Sequence, residues 1–410
     1  MRQKHTTRGA HMIKIVLPLI LTILSIGYYA FVHAHRTTIP QCPSCNVLII
    51  AIDGIRADEL PCLGYARNTM PNLCAFANHA TIAPYAVSAS IDLPTSQIAT
   101  LLSLRPEQEA TQSEAFYRHA QKKKPVVNIL QQHGFFTEFI GHQPTIETMI
   151  KEAIPHGFTS VPTTQSIQDW HMALETFATN TQNKTPSLLY LQNTDLIDTI
   201  WTDIATATNA GMFNPTMEKP KTLSESSINA EVKNATKDYF DNDDMPPVYT
   251  TLFSQIDRLT NQNDITAFLS TLSAADQFII HRRAIQNAVG KTNPVHLQYL
   301  KDRYDAMLHH VDSSLGTILS YINDEQLTKN TIIIFVSHTG FDFGRNTAVT
   351  IENTVYPTIT HVPLIISVPK NHTKQLMKRI ELIDIMPTLL DILHIAPINA
   401  MDGTSFAHML

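Results

Sequence analysis

The run Asn46-Val47-Leu48-Ile49-Ile50-Ala51-Ile52-Asp53 constrains the fold more than any other feature of the chain. It is continuously apolar rather than alternating, which is the pattern of a strand buried on both faces of a parallel sheet. It ends on a carboxylate, and Gly54 follows, so the backbone can turn sharply there. Open α/β sheets bind ligands at the carboxyl ends of their strands. Asp53 is thus delivered to the functional edge, as a natural first ligand for a divalent metal.

The rest of the chain repeats strand and helix. A helix-like stretch covers Thr69 to Ala77, and a second helix is predicted from Ser96 to Ser103. Val126 to Gln132 reads as a helix ended by Gly134, and Phe135 to Ile140 as the next strand. Ser187 to Gln192, Thr331 to Val336 and Val362 to Val368 read as further strands. Tyr299 to Asn323 has helical periodicity through Met307, Val311, Leu315, Ile318 and Leu319. Ile383 to Leu393 is a helix with Pro387 inside, marking a first turn or a kink. Such alternation predicts an α/β fold, a central mostly parallel sheet with helices on both faces. Residues 196–298 are polar and turn-rich, and read as a helical insertion or lid within a domain spanning residues 46–410.

The N-terminus sets the compartment. Ile15 to Val32 is an uncharged stretch of 18 residues, bracketed by Lys14 and Arg36. That is about the shortest length that spans a bilayer. Arg2, Lys4, Arg8 and Lys14 precede it without an acid, which keeps residues 1–14 cytoplasmic and exports the remainder of the chain. The expectation is a single-pass anchor in the plasma (inner) membrane at residues 15–32, a linker at 33–45, and a periplasmic or otherwise extracytoplasmic domain. A cleaved signal peptide competes, because Val32-His33-Ala34 suits a peptidase.

Beyond Arg36 the chain has 25 Lys/Arg against 36 Asp/Glu, which argues against nucleic acid as a partner. All four cysteines lie between Cys42 and Cys74. In an exported domain they read as disulfides. Cys42 and Cys45 precede the first strand, whereas Cys62 and Cys74 lie beyond its far end. The strand spans about 23 Å, so the pairs expected are Cys62–Cys74 and Cys42–Cys45. Cys-Pro-Ser-Cys is also compatible with a redox or zinc motif.

The order of motifs resembles the sulfatase branch of the alkaline phosphatase superfamily. Asn46 to Asp58 is similar to its opening strand, and Gly64-Tyr65 with Thr69-Met70-Pro71-Asn72-Leu73 to its next signature. Asn330 to Ser337 resembles the strand leading into the metal motif. Thr360 to Ile366 is similar to a segment of the membrane-anchored phosphoethanolamine transferases and lipoteichoic acid synthases. Ile383 to Asp391 and Asp402-Gly403-Thr404-Ser405 resemble the C-terminal tail.

The resemblance implies a hydroxyl or modified-cysteine nucleophile at a helix start, beside one or two metals that lower its pKa. The corresponding stretch, Asp92 to Leu104, contains no cysteine, so a formylglycine mechanism is excluded on this alignment. Thr95 is the nucleophile it implies, with Ser96 one residue away. Either hydroxyl also suits a helix cap. The family's aspartate-histidine-glycine is replaced by Ser337-His338-Thr339-Gly340. Asp53, Thr95 and His338 are the implied holders of one divalent metal, zinc or manganese, with His361 nearby. Gly54 stands where many sulfatases carry a second acid, which leans the substrate toward phosphate. His142 falls where sulfatases place a lysine; it and His361 would assist the leaving group as acids. Arg56 faces the site or pairs with Asp58, and Asp195 is a further acid at the sheet edge.

Two functions are compatible with these residues. One is a membrane-anchored, metal-dependent hydrolase or transferase of a phosphoester or sulfoester. Its substrate would be a small molecule, lipid head group or glycan. The other is a catalytically inactive relative that binds a lipid or protein partner at the membrane. Retention of Asp53, Thr95 and His361 favours the first, which is the leading expectation; the degenerate metal motif, Gly54 and the absent lysine favour the second, which is the alternative.

Overall fold

The structure, a computed structural model, describes residues 39–106, 125–141, 167–197, 294–343, 357–371, 374–397 and 401–410, with short pieces between them. The expected anchor, His142 and nearly all of the expected insertion lie outside the described residues. Among the described residues no helix is long and apolar enough to cross a membrane.

The strands are β1 (Asn46–Ile52), β2 (Thr81–Ile82), β3 (Ala86–Val87), β4 (Phe136–Ile140), β5 (Ser187–Asn193), β6 (Thr331–Val336), β7 (Asp342–Phe343), β8 (Val349–Thr350), β9 (Leu364–Ser367) and β10 (Ile380–Glu381). The helices are α1 (Pro71–Ala77), α2 (Leu93–Leu102), α3 (Val126–Gln132), α4 (Trp170–Gln182), α5 (Pro294–Asp324), α6 (Pro357–Thr360) and α7 (Ile385–Ile392).

The main sheet has the order β2-β9-β6-β1-β5-β4. β6, β1, β5 and β4 are mutually parallel, as the apolar runs predict. β9 runs antiparallel to both β6 and β2, so the sheet is mixed. Every residue of β1 and β6 is buried, because each lies between two strands and under helices. The register sets Ala51 level with Gln192 of β5 and with Val336 of β6. The carboxyl ends of all three strands therefore finish together, and Asp53, Gln192 and His338 arrive at one place.

Several helices differ from their sequence reading: α1 begins at Pro71 rather than Thr69, and α5 at Pro294, five residues before Tyr299. α2 starts at Leu93, three residues before the expected Ser96. Its cap is Asp92, whose Oδ2 accepts the Thr95 N–H at 3.0 Å, so neither Thr95 nor Ser96 caps it. At the C-terminus a short turn, Leu382–Asp384, precedes α7, which places Pro387 in the first helical turn, where it breaks no hydrogen bond.

The two expected disulfides, Cys42–Cys45 and Cys62–Cys74, are both formed. The second joins the segment after β1 to α1. α1 is also held by Asp312 of α5, whose carboxylate accepts from the Asn72 and Leu73 N–H groups at 2.8 Å. An acid from one helix thus satisfies the orphan donors at the start of another.

The turn after Asp53 is fixed by close contacts. Gly54 has φ +94°, and a Cβ there would lie 2.8 Å from Ile197 Cγ1. The Tyr304 hydroxyl donates to Gly54 O at 2.8 Å and accepts from Arg56 N–H at 3.2 Å. Gly54 is thus required by the backbone, which weakens its value as a sign of phosphate chemistry. Gly54→Ala is expected to cost about 1–3 kcal/mol in urea unfolding, from the left-handed backbone and overpacking together.

Candidate active site

The Asp53 carboxylate is fully buried and surrounded by N–H donors. Oδ1 accepts from the His338 main-chain N–H at 2.8 Å and faces His338 Nδ1 at 2.9 Å. Oδ2 accepts from Gln192 Nε2 at 2.9 Å. A carboxylate only accepts, so His338 Nδ1 carries the proton. Its other nitrogen, Nε2, lies 2.9 Å from the Tyr190 hydroxyl. Burial pushes the Tyr190 phenol well above its usual range, and the Asp53 charge adds to that. Tyr190 therefore keeps its proton and donates it to Nε2.

The result is a chain of hydrogen bonds, Tyr190 to His338 to Asp53, across β5, the end of β6 and the end of β1. Tyr190, Gln192 and His338 are all buried. Tyr190 and Gln192 sit two apart on β5, hence on one face. Neither was singled out from the sequence. The signal was available: two polar-tipped side chains at alternate positions in the otherwise apolar Leu188-Leu189-Tyr190-Leu191-Gln192.

α2 reaches this network through Gln97, whose Oε1 accepts from Gln192 Nε2 at 3.1 Å. Thr95 and Ser96 are buried on the same helix. Gln97 Nε2, Gln192 Oε1 and Ser96 Oγ have no hydrogen bond within the described protein.

The other sequence candidates are dispersed. His361 Nε2 lies 2.6 Å from Pro84 O, and as donor to that carbonyl it holds two loops together. Arg56 pairs with Asp58 at 2.7 Å, but as a buried side chain that also donates to Phe341 O. Asn193 Nδ2 donates to Asp195 Oδ2 at 2.8 Å. Thus Asp53 and His338 are brought together, and His361 is engaged elsewhere.

The architecture defines an α/β protein of the alkaline phosphatase type, with an acid at the end of the central strand and a helix N-terminus beside it. The family model described as Sulfatase matches residues 45–395, and the chain belongs to that family. Arylsulfatase K of Gallus gallus is 29% identical over 126 residues, covering 30% of this chain and 23% of that protein. Iduronate 2-sulfatase of Homo sapiens is 21% identical over 372 residues, covering 86% of this chain and 64% of that protein. The chain thus spans less than two thirds of the length of either relative. Among solved structures, a 2-O GAG sulfatase is similar with a TM-score of 0.60 at 16% identity, covering 89% of this chain and 74% of that one.

Members of this superfamily are typically metal-dependent, and the family fold implies a divalent cation beside Asp53. Asp53 and His338, as they are bonded among the described residues, do not fit one. A zinc or manganese site needs several anionic or neutral lone pairs converging on one point. Here the single carboxylate meets three N–H groups, and the imidazole gives one nitrogen to that carboxylate and the other to a phenol. Among the described residues no group of three or more His, Cys, Asp or Glu converges as a metal site. The α2 N-terminus, which would favour an ester's charge, already carries the Asp92 carboxylate.

Proposed function

We propose that this chain is a sulfatase-family protein whose ester-cleaving centre has become a self-satisfied polar core. On this reading it works as a non-catalytic binding protein, anchored at the extracytoplasmic face of a membrane and engaging a lipid or protein partner. The observation that carries the reading is the closure of Asp53 onto His338, Gln192 and a main-chain N–H. The imidazole N–H hydrogen-bonds the acid that would otherwise be open to a metal, and the Asp92 carboxylate caps the start of α2. Catalysis in this architecture depends on charge stabilisation that opens toward substrate. Here the Asp53 carboxylate and the start of α2 both find their hydrogen bonds within the chain.

A second reading stays closer to the family: a hydrolase or transferase of a sulfated or phosphorylated small molecule, lipid head group or glycan, with Thr95 as nucleophile. The buried Ser96 Oγ and Gln97 Nε2, without a hydrogen bond within the described protein, favour it, since a bound ligand would satisfy them.

Turnover separates the two. The full chain would be assayed with aryl sulfates, aryl phosphates and phosphodiesters, with excess zinc or manganese. The proposal expects no sulfate or phosphate release above buffer. Release that Thr95→Ala abolishes would establish the second reading instead.

A further inference from the structure

A basic, partly apolar ribbon lies beside β3. Residues 369–380 contain Lys370, Lys374, Lys378 and Arg379 and no acid, although the chain beyond Arg36 is strongly acidic. The segment is anchored by its apolar positions. Leu376 N–H donates to Ile82 O at 2.8 Å, Ile380 N–H reaches Tyr85 O at 3.4 Å, and both side chains are buried. The residues between them face outward: Met377 is 67% exposed and Arg379 68%, with Tyr85 alongside at 49%. Lys370, Lys374 and Lys378 are exposed as well. Only four large apolar side chains among the described residues are exposed to this degree, and two of them are here.

The local charge is only partly met by neighbours, and Lys370 and Lys378 carry no ion pair among the described residues. The acid that closes the segment, Glu381, is bound by Arg105 at 2.7 Å and faces Arg379 at 3.8 Å. Lys374 Nζ donates to Leu410 O at 2.9 Å. Lys378 has no acid partner among the described residues.

We propose that this ribbon is a contact surface for an anionic membrane, with the cations on lipid head groups and Met377 and Tyr85 at the interface. Each Lys or Arg near an anionic leaflet adds attraction, and amphipathic or flexible apolar side chains settle at the head-group level. The apolar members favour lipid over a sulfated polymer, which would be held by the cations alone. The proposal does not rest on the cleft, since none of these residues contacts Asp53, so the two can fail separately.

The test uses the full chain with Met377→Trp in vesicles of phosphatidylcholine alone, or with about 30% phosphatidylglycerol, brominated in their acyl chains. The parent chain, with its own Trp170 and Trp201, sets the background. The expected result is quenching beyond that background in anionic vesicles, at least about twofold more than in neutral ones, and lost at about 0.5 M salt. Adding Lys378→Glu and Arg379→Glu should remove it. Equal quenching in both vesicles, or none beyond background, overturns the proposal. So does an emission shift produced by a sulfated polysaccharide and absent with lipid. Should Met377→Trp misfold by circular dichroism, Tyr85→Trp places the reporter on the same ribbon and the same outcomes apply.

Discussion

Replacing His338 with alanine lowers the stability of the chain by about 3 kcal/mol, from a buried carboxylate that loses a hydrogen-bond donor. The reason is Asp53. It has no exposed surface, and the imidazole supplies one of its three donors at 2.9 Å. Without the ring, the carboxylate keeps its desolvation cost and loses a partner, and Tyr190 loses the acceptor for its hydroxyl. Asp53→Ala should cost a similar amount, because it strands two N–H groups of His338 and leaves Gln192 Nε2 with Gln97 as its only acceptor among the described residues. The double variant separates pairing from packing. If the two side chains act as a pair, it loses less than the sum of the single variants by about 0.5–3 kcal/mol. Additive losses in urea unfolding would show that each acts only by filling space.

Removing the Cys62–Cys74 disulfide by Cys62→Ser with Cys74→Ser is the second large effect, about 3 kcal/mol on the chain-entropy account. The bridge joins residues 12 apart in sequence, one beside the turn after β1 and one in α1. It therefore restrains the segment that leads away from Asp53. The Cys42–Cys45 bridge, with a separation of 3, closes a shorter loop and should give about 2 kcal/mol. Urea midpoints of the two serine pairs, compared with the parent under a reductant, check this. A reductant that leaves the parent midpoint unmoved would contradict it.

Much of the fold was legible because parallel strands leave an unambiguous trace. Continuous runs such as Val47 to Ile52 and Thr331 to Val336 read as buried strands, and β6 has the predicted bounds. The reversed direction of β9 was not legible, since a four-residue strand with three apolar side chains looks the same either way. At the site, Asp53 and His338 were readable because each ends a strand. Their partners were not, because Gln97, Tyr190 and Gln192 come from a helix and a strand distant in sequence. Only the β1–β5 register brings Gln192 beside Asp53. The α2 cap was misplaced by three residues because Thr95 and Ser96 cap helices as well as Asp92 does, and sequence alone does not rank them.

The most direct measurement is the metal content of the full chain after incubation with excess zinc or manganese and desalting, with thermal unfolding read alongside. The account predicts far less than one equivalent bound and an unchanged midpoint, because Asp53 and His338 are already each other's partners. About one equivalent, lost in Asp53→Asn and accompanied by a raised midpoint in the parent, would contradict it and restore a working metal centre.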